Sequence, residues 1–148
     1  FLYFIGGRAP PVAAVVVMAS VKVLVHAAQG LPIMDSRSRL CDAYVSVRLD
    51  DKDEQSAVVQ NSRNPTFKFY AKFVLTELYT LQEDPLEVRV YDRDRIMDDL
   101  IGTVFVDLNL MLQSDATPRI EGWFPIIDPF EGLHGELHLS VDQIPRGG

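Results

Sequence analysis

A chain of 148 residues, 47% apolar and 24% charged, is long enough for one domain with a real core and excludes a disordered or fibrous protein. Its formal charge of −7 excludes the basic face that nucleic acid requires, and it excludes unaided attraction to anionic lipid, which selects Lys and Arg. The single cysteine, Cys41, excludes an intrachain disulfide and points to the cytoplasm; with no basic neighbour to favour a thiolate, it reads as a buried structural thiol.

Residues 1–19 are apolar but broken by Gly6, Gly7, Pro10 and Pro11. The unbroken run from Val12 to Ala19 is far shorter than the roughly 20 residues of a membrane-spanning helix, and a signal peptide would want a basic start. This stretch reads as an extension ahead of Met18, disordered or adding one strand through Val12 to Val17. The domain proper is expected over 20–144, with 145–148 as a tail.

From Val21 the apolar residues alternate, giving a strand through Val23 and Val25 that ends at Gly30-Leu31-Pro32. Ala43 to Leu49 alternates again. Asp50 to Glu54 reads as a charged turn, and Gln55 to Gln60 as the next short strand. After the Asn64-Pro65 turn, Thr66 to Leu75 sets Phe67, Phe69, Ala71 and Phe73 on one face. Leu86 to Tyr91 and Leu100 to Leu108 follow, then one helical turn at Asn109 to Gln113, then strands at Gly122 to Ile127 and Glu136 to Val141. Eight short strands at this spacing predict an all-β fold, an antiparallel sandwich.

Five aspartates stand where these strands end: Asp35 and Asp42 bracket one loop, and Asp92, Asp94 and Asp99 belong to another. An Asp-rich turn alone is ordinary, because the side chain satisfies local backbone. Two such loops at one end of a sandwich would instead crowd carboxylates that repel one another. Calcium, which takes six to eight oxygen ligands, relieves that repulsion. The alternation Asp92-x-Asp94 turns both side chains the same way in extended chain.

The segments VKVLVHAAQGLPIMD, CDAYVSVRL, NPTF, LEVRVYDRD, DLIG and GWFPI together resemble the C2 domains, over about residues 20 to 144. The LPxMD loop and WFPI strand are most similar to the amino-terminal C2 domain of a large vesicle-trafficking phosphoprotein. The resemblance implies an eight-stranded antiparallel β-sandwich of C2 type, with type II topology because the GELHLSV strand comes last. It also implies two or three Ca2+ ions held between loops at one end. The family's ligand positions match Asp35, Asp42, Asp92, Asp94 and Asp99. Loop lengths depart from the family: Asp42 comes seven positions after Asp35 where many members have a spacing of six, and the stretch from Asp94 to Asp99 is one residue short. Counting back from the DxxG pattern favours Asp99 as the last ligand, with Asp98 as the alternative.

The implied function is calcium-dependent binding to an anionic phospholipid membrane such as phosphatidylserine, by a non-enzymatic module of a trafficking or signalling protein. Such a module is cytoplasmic and becomes peripheral to the membrane when calcium binds. Met34, Leu40, Ile96 and Met97 are the apolar loop residues placed for membrane contact. Arg37, Arg39 and Arg95, with Arg93, could pair with headgroup phosphates. A calcium-independent protein-interaction domain, with protein partners at the same loops, is the alternative. The stretch QSAVVQNSR holds one basic residue, Arg63, too few for a strong phosphoinositide patch. His134 and His138 lie four apart, roughly 13 Å in extended chain, too far for joint zinc ligation. His26 reads as a structural residue on an edge-like strand. No nucleophile elbow or glycine-rich phosphate loop is present.

Overall fold

The computed structural model describes residues 19–33, 41–75, 80–112 and 119–144. Eight strands run in chain order: β1 (Ala19–Gln29), β2 (Ala43–Leu49), β3 (Lys52–Gln55), β4 (Thr66–Leu75), β5 (Leu86–Asp92), β6 (Asp99–Val106), β7 (Arg119–Asp128) and β8 (Gly132–Ile144). They are ordered β3-β2-β5-β6-β7-β8-β1-β4. Each adjacent pair is antiparallel, but β6 and β7 share only the pair Thr103 and Ile127. That narrow seam divides the strands into two four-stranded layers with the core between them. The expected antiparallel β-sandwich is the fold observed.

Alternation explains the core. Val21, Val23 and Val25 of β1, Val45 and Val47 of β2, Leu86, Val88 and Val90 of β5, and Leu137, Leu139 and Val141 of β8 are all fully buried. Two bulges shift that parity. One lies at His26, so that Val25 and Ala28 both face inward. The other lies between Val90 and Tyr91, where Ile101 is the unpaired extra residue, and lets both Ile101 and Val104 enter the core.

Two expectations are corrected. The third strand is Lys52–Gln55, inside the stretch read as a charged turn, and not Gln55 to Gln60. All four of its residues are exposed, so no apolar face marked it; it is a charged edge strand. Residues 56–60 instead run beside β2, joined by the reciprocal hydrogen bonds of Ala43 and Val59, with the Val45 N–H donating to Ser56 Oγ at 3.0 Å. The strand of His26 is not an edge: β1 pairs with β4 on one side and β8 on the other. A short helical turn, α1 (Thr80–Glu83), also went unread. The expected strand at Val12 to Val17 lies outside the described residues, as do Met34, Asp35, Arg37, Arg39 and Leu40. β1 begins at Ala19, the last residue assigned to the extension.

Candidate functional site

Three neighbouring strands, β2, β5 and β6, bring the distant aspartates to one end of their layer. Asp42 immediately precedes β2, whose first residue, Ala43, pairs with Asp92 at the end of β5. Asp92 pairs in turn with Asp99, the first residue of β6. Residues 93–98 close this hairpin and carry Asp94 at its entrance. Asp42, Asp92, Asp94 and Asp99 therefore share one end of the sheet, and the chain leading to the second layer leaves from that same end.

Asp92 is the only buried acidic side chain among the described residues. Its Oδ1 accepts the Asp42 backbone N–H at 2.9 Å and lies 3.7 Å from the Cys41 Sγ donor. The Arg93 N–H donates to the Asp42 carbonyl at 2.8 Å, closing a reciprocal link between the two loops. Asp42 Oδ1 accepts the Asn61 N–H at 2.8 Å. Burial raises the Asp92 pKa above its ordinary value; the Asp42 and Asp99 charges add to this, and the hydrogen bonds from Asp42 and Cys41 oppose it. Burial, with Asp92 beside it, pushes the Cys41 thiol up to about 12. Cys41 is buried, as expected of a structural thiol.

A raised carboxyl pKa means that ionising Asp92 costs the folded state free energy. This contribution is absent below the unfolded carboxyl pKa and grows as pH rises through the folded value. At neutral pH the domain carries that cost wherever no cation offsets the charge. Asp92→Asn keeps an oxygen acceptor for the Asp42 N–H and removes the charge. We expect its calcium-free melting temperature to exceed that of the unchanged chain by a few degrees, on the scale of about 1 kcal/mol. The gap should close as pH falls toward about 4. A thermal melt series across pH checks both the sign and the window.

The last-ligand question has a structural handle. Asp98 Oδ1 accepts the Asp94 N–H at 3.0 Å, and its Oδ2 accepts the Tyr44 hydroxyl at 2.5 Å. Both oxygens therefore hold the loop closed, and these hydrogen bonds, Tyr44 first, lower the Asp98 pKa. Burial, then Asp98, pushes the Tyr44 hydroxyl up to about 12, and its ring stacks on Tyr91 at 5.2 Å. Asp99 is not tied into this loop-closing pair. On the expectation that these loops hold calcium, Asp99→Asn should weaken its affinity about tenfold or more, and Asp98→Asn by much less, in paired calorimetric titrations. The reverse order would make Asp98 the ligand.

The aspartates share an end of the sheet without closing into a tight cage. Among the described residues, the only three candidate ligand atoms within 4.8 Å of one another belong to His26, Glu121 and His138, away from these loops. Like-charged carboxylates repel one another, which keeps them apart.

Apolar side chains stand at the same end. Ile96 is 97% exposed and Met97 75% exposed at the apex of the 93–98 loop, flanked by exposed Arg93 and Arg95. The sequence reading missed Phe130, 96% exposed in the turn between β7 and β8. That turn lies at the aspartate end because β8 starts where β1 finishes, Glu136 pairing with Gln29. His134 fastens it there, with Nδ1 2.7 Å from the Ile101 carbonyl and Nε2 3.0 Å from Glu131 Oε2. The signal available in sequence was a bulky aromatic in a Pro-Phe-Glu-Gly turn.

A family model for the C2 domain matches residues 19–126. C2 domain-containing protein 5 of Homo sapiens is 37% identical over 122 residues, 81% of this chain, and that of Xenopus tropicalis is 36% identical over the same length. The chain spans only 12% of the length of those relatives. Among solved structures, a C2 domain of plant Extended Synaptotagmin 1 superposes with a TM-score of 0.72 at 20% identity, covering 86% of this chain and 95% of that one. The calcium-bound pair of C2 domains from Extended-Synaptotagmin 2 gives 0.70 at 21% identity, covering 84% of this chain and 45% of that one. With its match to the family model and an eight-stranded antiparallel sandwich of this order, the chain belongs to the C2 domain family.

Proposed function

We propose that the domain is a calcium-dependent phospholipid-binding module, non-enzymatic, within a larger trafficking or signalling protein. Asp35, Asp42, Asp92, Asp94 and Asp99 are its proposed Ca2+ ligands. The observation that carries this reading is the convergence of Asp42, Asp92, Asp94 and Asp99 at the end of the sheet where Ile96 and Met97 are exposed. The calcium-bound state of the Extended-Synaptotagmin 2 neighbour is in keeping with it. The place of β8 between β7 and β1 supports type II connectivity.

The chemistry is an electrostatic switch. Without calcium the loop end is acidic and repels an anionic bilayer. Bound calcium reverses most of that local field, and lipid phosphate or carboxylate oxygens complete its coordination. Ion and lipid affinities are then linked, each raising the other. Ile96 and Met97, joined by Phe130, enter the bilayer interface, while Arg93 and Arg95 meet headgroup phosphates. On this reading the module is cytoplasmic and becomes peripheral to the membrane when calcium rises.

One observation favours the calcium-independent protein-interaction reading. A groove of about 580 Å3 lies along the β6–β7 seam, lined by Leu100, Phe105, Phe124, Pro125, Ile127 and Pro129 among others. Co-sedimentation with phosphatidylserine vesicles across a calcium titration separates the readings. Binding that rises with calcium supports the switch; binding indifferent to calcium, or none at any concentration, removes it.

A further inference from the structure

On the outer face of the second layer, three adjacent strands present two imidazoles and a carboxylate to one point. His26 of β1, His138 of β8 and Glu121 of β7 place one ligand atom each within 4.8 Å of the others. The β1 bulge makes this possible. The register opposes Val25 to Leu139 and Ala27 to His138, leaving His26 as the extra residue, stacked on His138 with ring centroids 4.2 Å apart. Glu121 is already oriented: Arg119 Nε lies 3.1 Å from its Oε2, which leaves Oε1 facing His138 Nε2 at 3.6 Å. Trp123 walls the other side of His138, with ring centroids 5.0 Å apart.

We propose that His26, Glu121 and His138 form a surface site for a divalent transition metal such as Zn2+, Cu2+ or Ni2+, separate from the aspartate loops. The donor set selects the metal class. Two imidazole nitrogens and one carboxylate with open positions suit these ions, whereas calcium wants a shell of oxygens. Bonds of about 2 Å call for ligand atoms somewhat over 3 Å apart, so the side chains must rotate inward from their present spacing, and the stacked His26 and His138 rings must tilt because each nitrogen binds in its own ring plane. His26 Nε2 now lies 2.7 Å from Ser140 Oγ. A metal on that nitrogen displaces the hydroxyl, which keeps Arg119 as a partner at 3.4 Å. The Arg119–Glu121 pair acts as the outer support that orients a ligating carboxylate.

Trp123, the only tryptophan in the chain, reports on the site, because paramagnetic Cu2+ or Ni2+ at His138 quenches its fluorescence. The experiment titrates CuCl2 into the full chain with calcium in excess, so that the aspartate loops are not vacant. Saturable quenching is expected, reversed by a chelator and, because Cu2+ outranks Zn2+ at such donors, by Zn2+ only in large molar excess. His26→Gln and His138→Gln are each expected to raise the midpoint about tenfold or more, and Glu121→Gln to raise it less. His134→Gln, on a histidine already held by Ile101 and Glu131, leaves it unchanged. Circular dichroism confirms the fold of each variant, and Glu121, being exposed, supplies a substitution that spares packing if a histidine variant unfolds. Unsaturable quenching, or a midpoint indifferent to both His26→Gln and Glu121→Gln, overturns the site. The outcome is independent of whether calcium drives membrane binding.

Discussion

Replacing Asp92 and Asp94 together by asparagine is expected to abolish calcium-dependent sedimentation with phosphatidylserine vesicles, with the fold intact. The apparent calcium affinity should fall about 100-fold or more, since charge count is the main control on affinity in oxygen-ligand sites. The same double substitution is expected to stabilise the calcium-free domain, because it removes the ionisation cost of buried Asp92. The opposite signs are the diagnostic. The unchanged chain should gain stability when calcium is added, as any ligand of the native state requires, and the variant should start higher and gain nothing. A variant that is destabilised without calcium would show that ionised Asp92 carries no net cost in the folded state. A variant that still binds vesicles with rising calcium would remove these aspartates from the ligand set.

Gly135→Ala is expected to cost about 3 kcal/mol or more, lowering the melting temperature by on the order of 10 °C. Gly132→Ala should cost only about 1 kcal/mol. The two glycines have nearly the same φ, +93° and +89°. They differ in space. A Cβ on Gly135 would sit 2.5 Å from the Gln29 carbonyl oxygen and 2.8 Å from that of Gly30, while one on Gly132 meets nothing within 4 Å. The difference between the two losses is therefore the steric contribution of the close approach between β8 and the end of β1, where the chain turns toward the aspartate loop. Equal losses in thermal melts would mean that φ alone matters and that the two strands can part at this point.

The strands were legible wherever one side faced the core. Val21-Val23-Val25 and Leu86-Val88-Val90 declare themselves by alternation, because a half-buried strand must place every second residue inside. Lys52–Gln55 could not, since an edge strand with four exposed residues has no buried face to record. Ala57-Val58-Val59 misled for the converse reason: apolar residues there run beside β2 without joining a ladder beyond the Ala43–Val59 bridge. The candidate loops were legible as two aspartate clusters, and their union needed the neighbour order β2-β5-β6. Phe130 was hidden because nothing local says which end of a sandwich a turn occupies.

Residue chemistry by itself determined an all-β fold and set aspartates beside the strands, while the likeness to C2 domains rested on whole motifs and not on periodicity. Periodicity and turn residues are local properties, readable one segment at a time. Only tertiary structure decided that Asp98 fastens its own loop through Tyr44, that Asp92 is buried against Cys41, and that a bulge seats His26 on His138 beside Glu121. Those facts depend on strand register between segments far apart in the chain. A shift of one residue would turn each of these side chains to the other face.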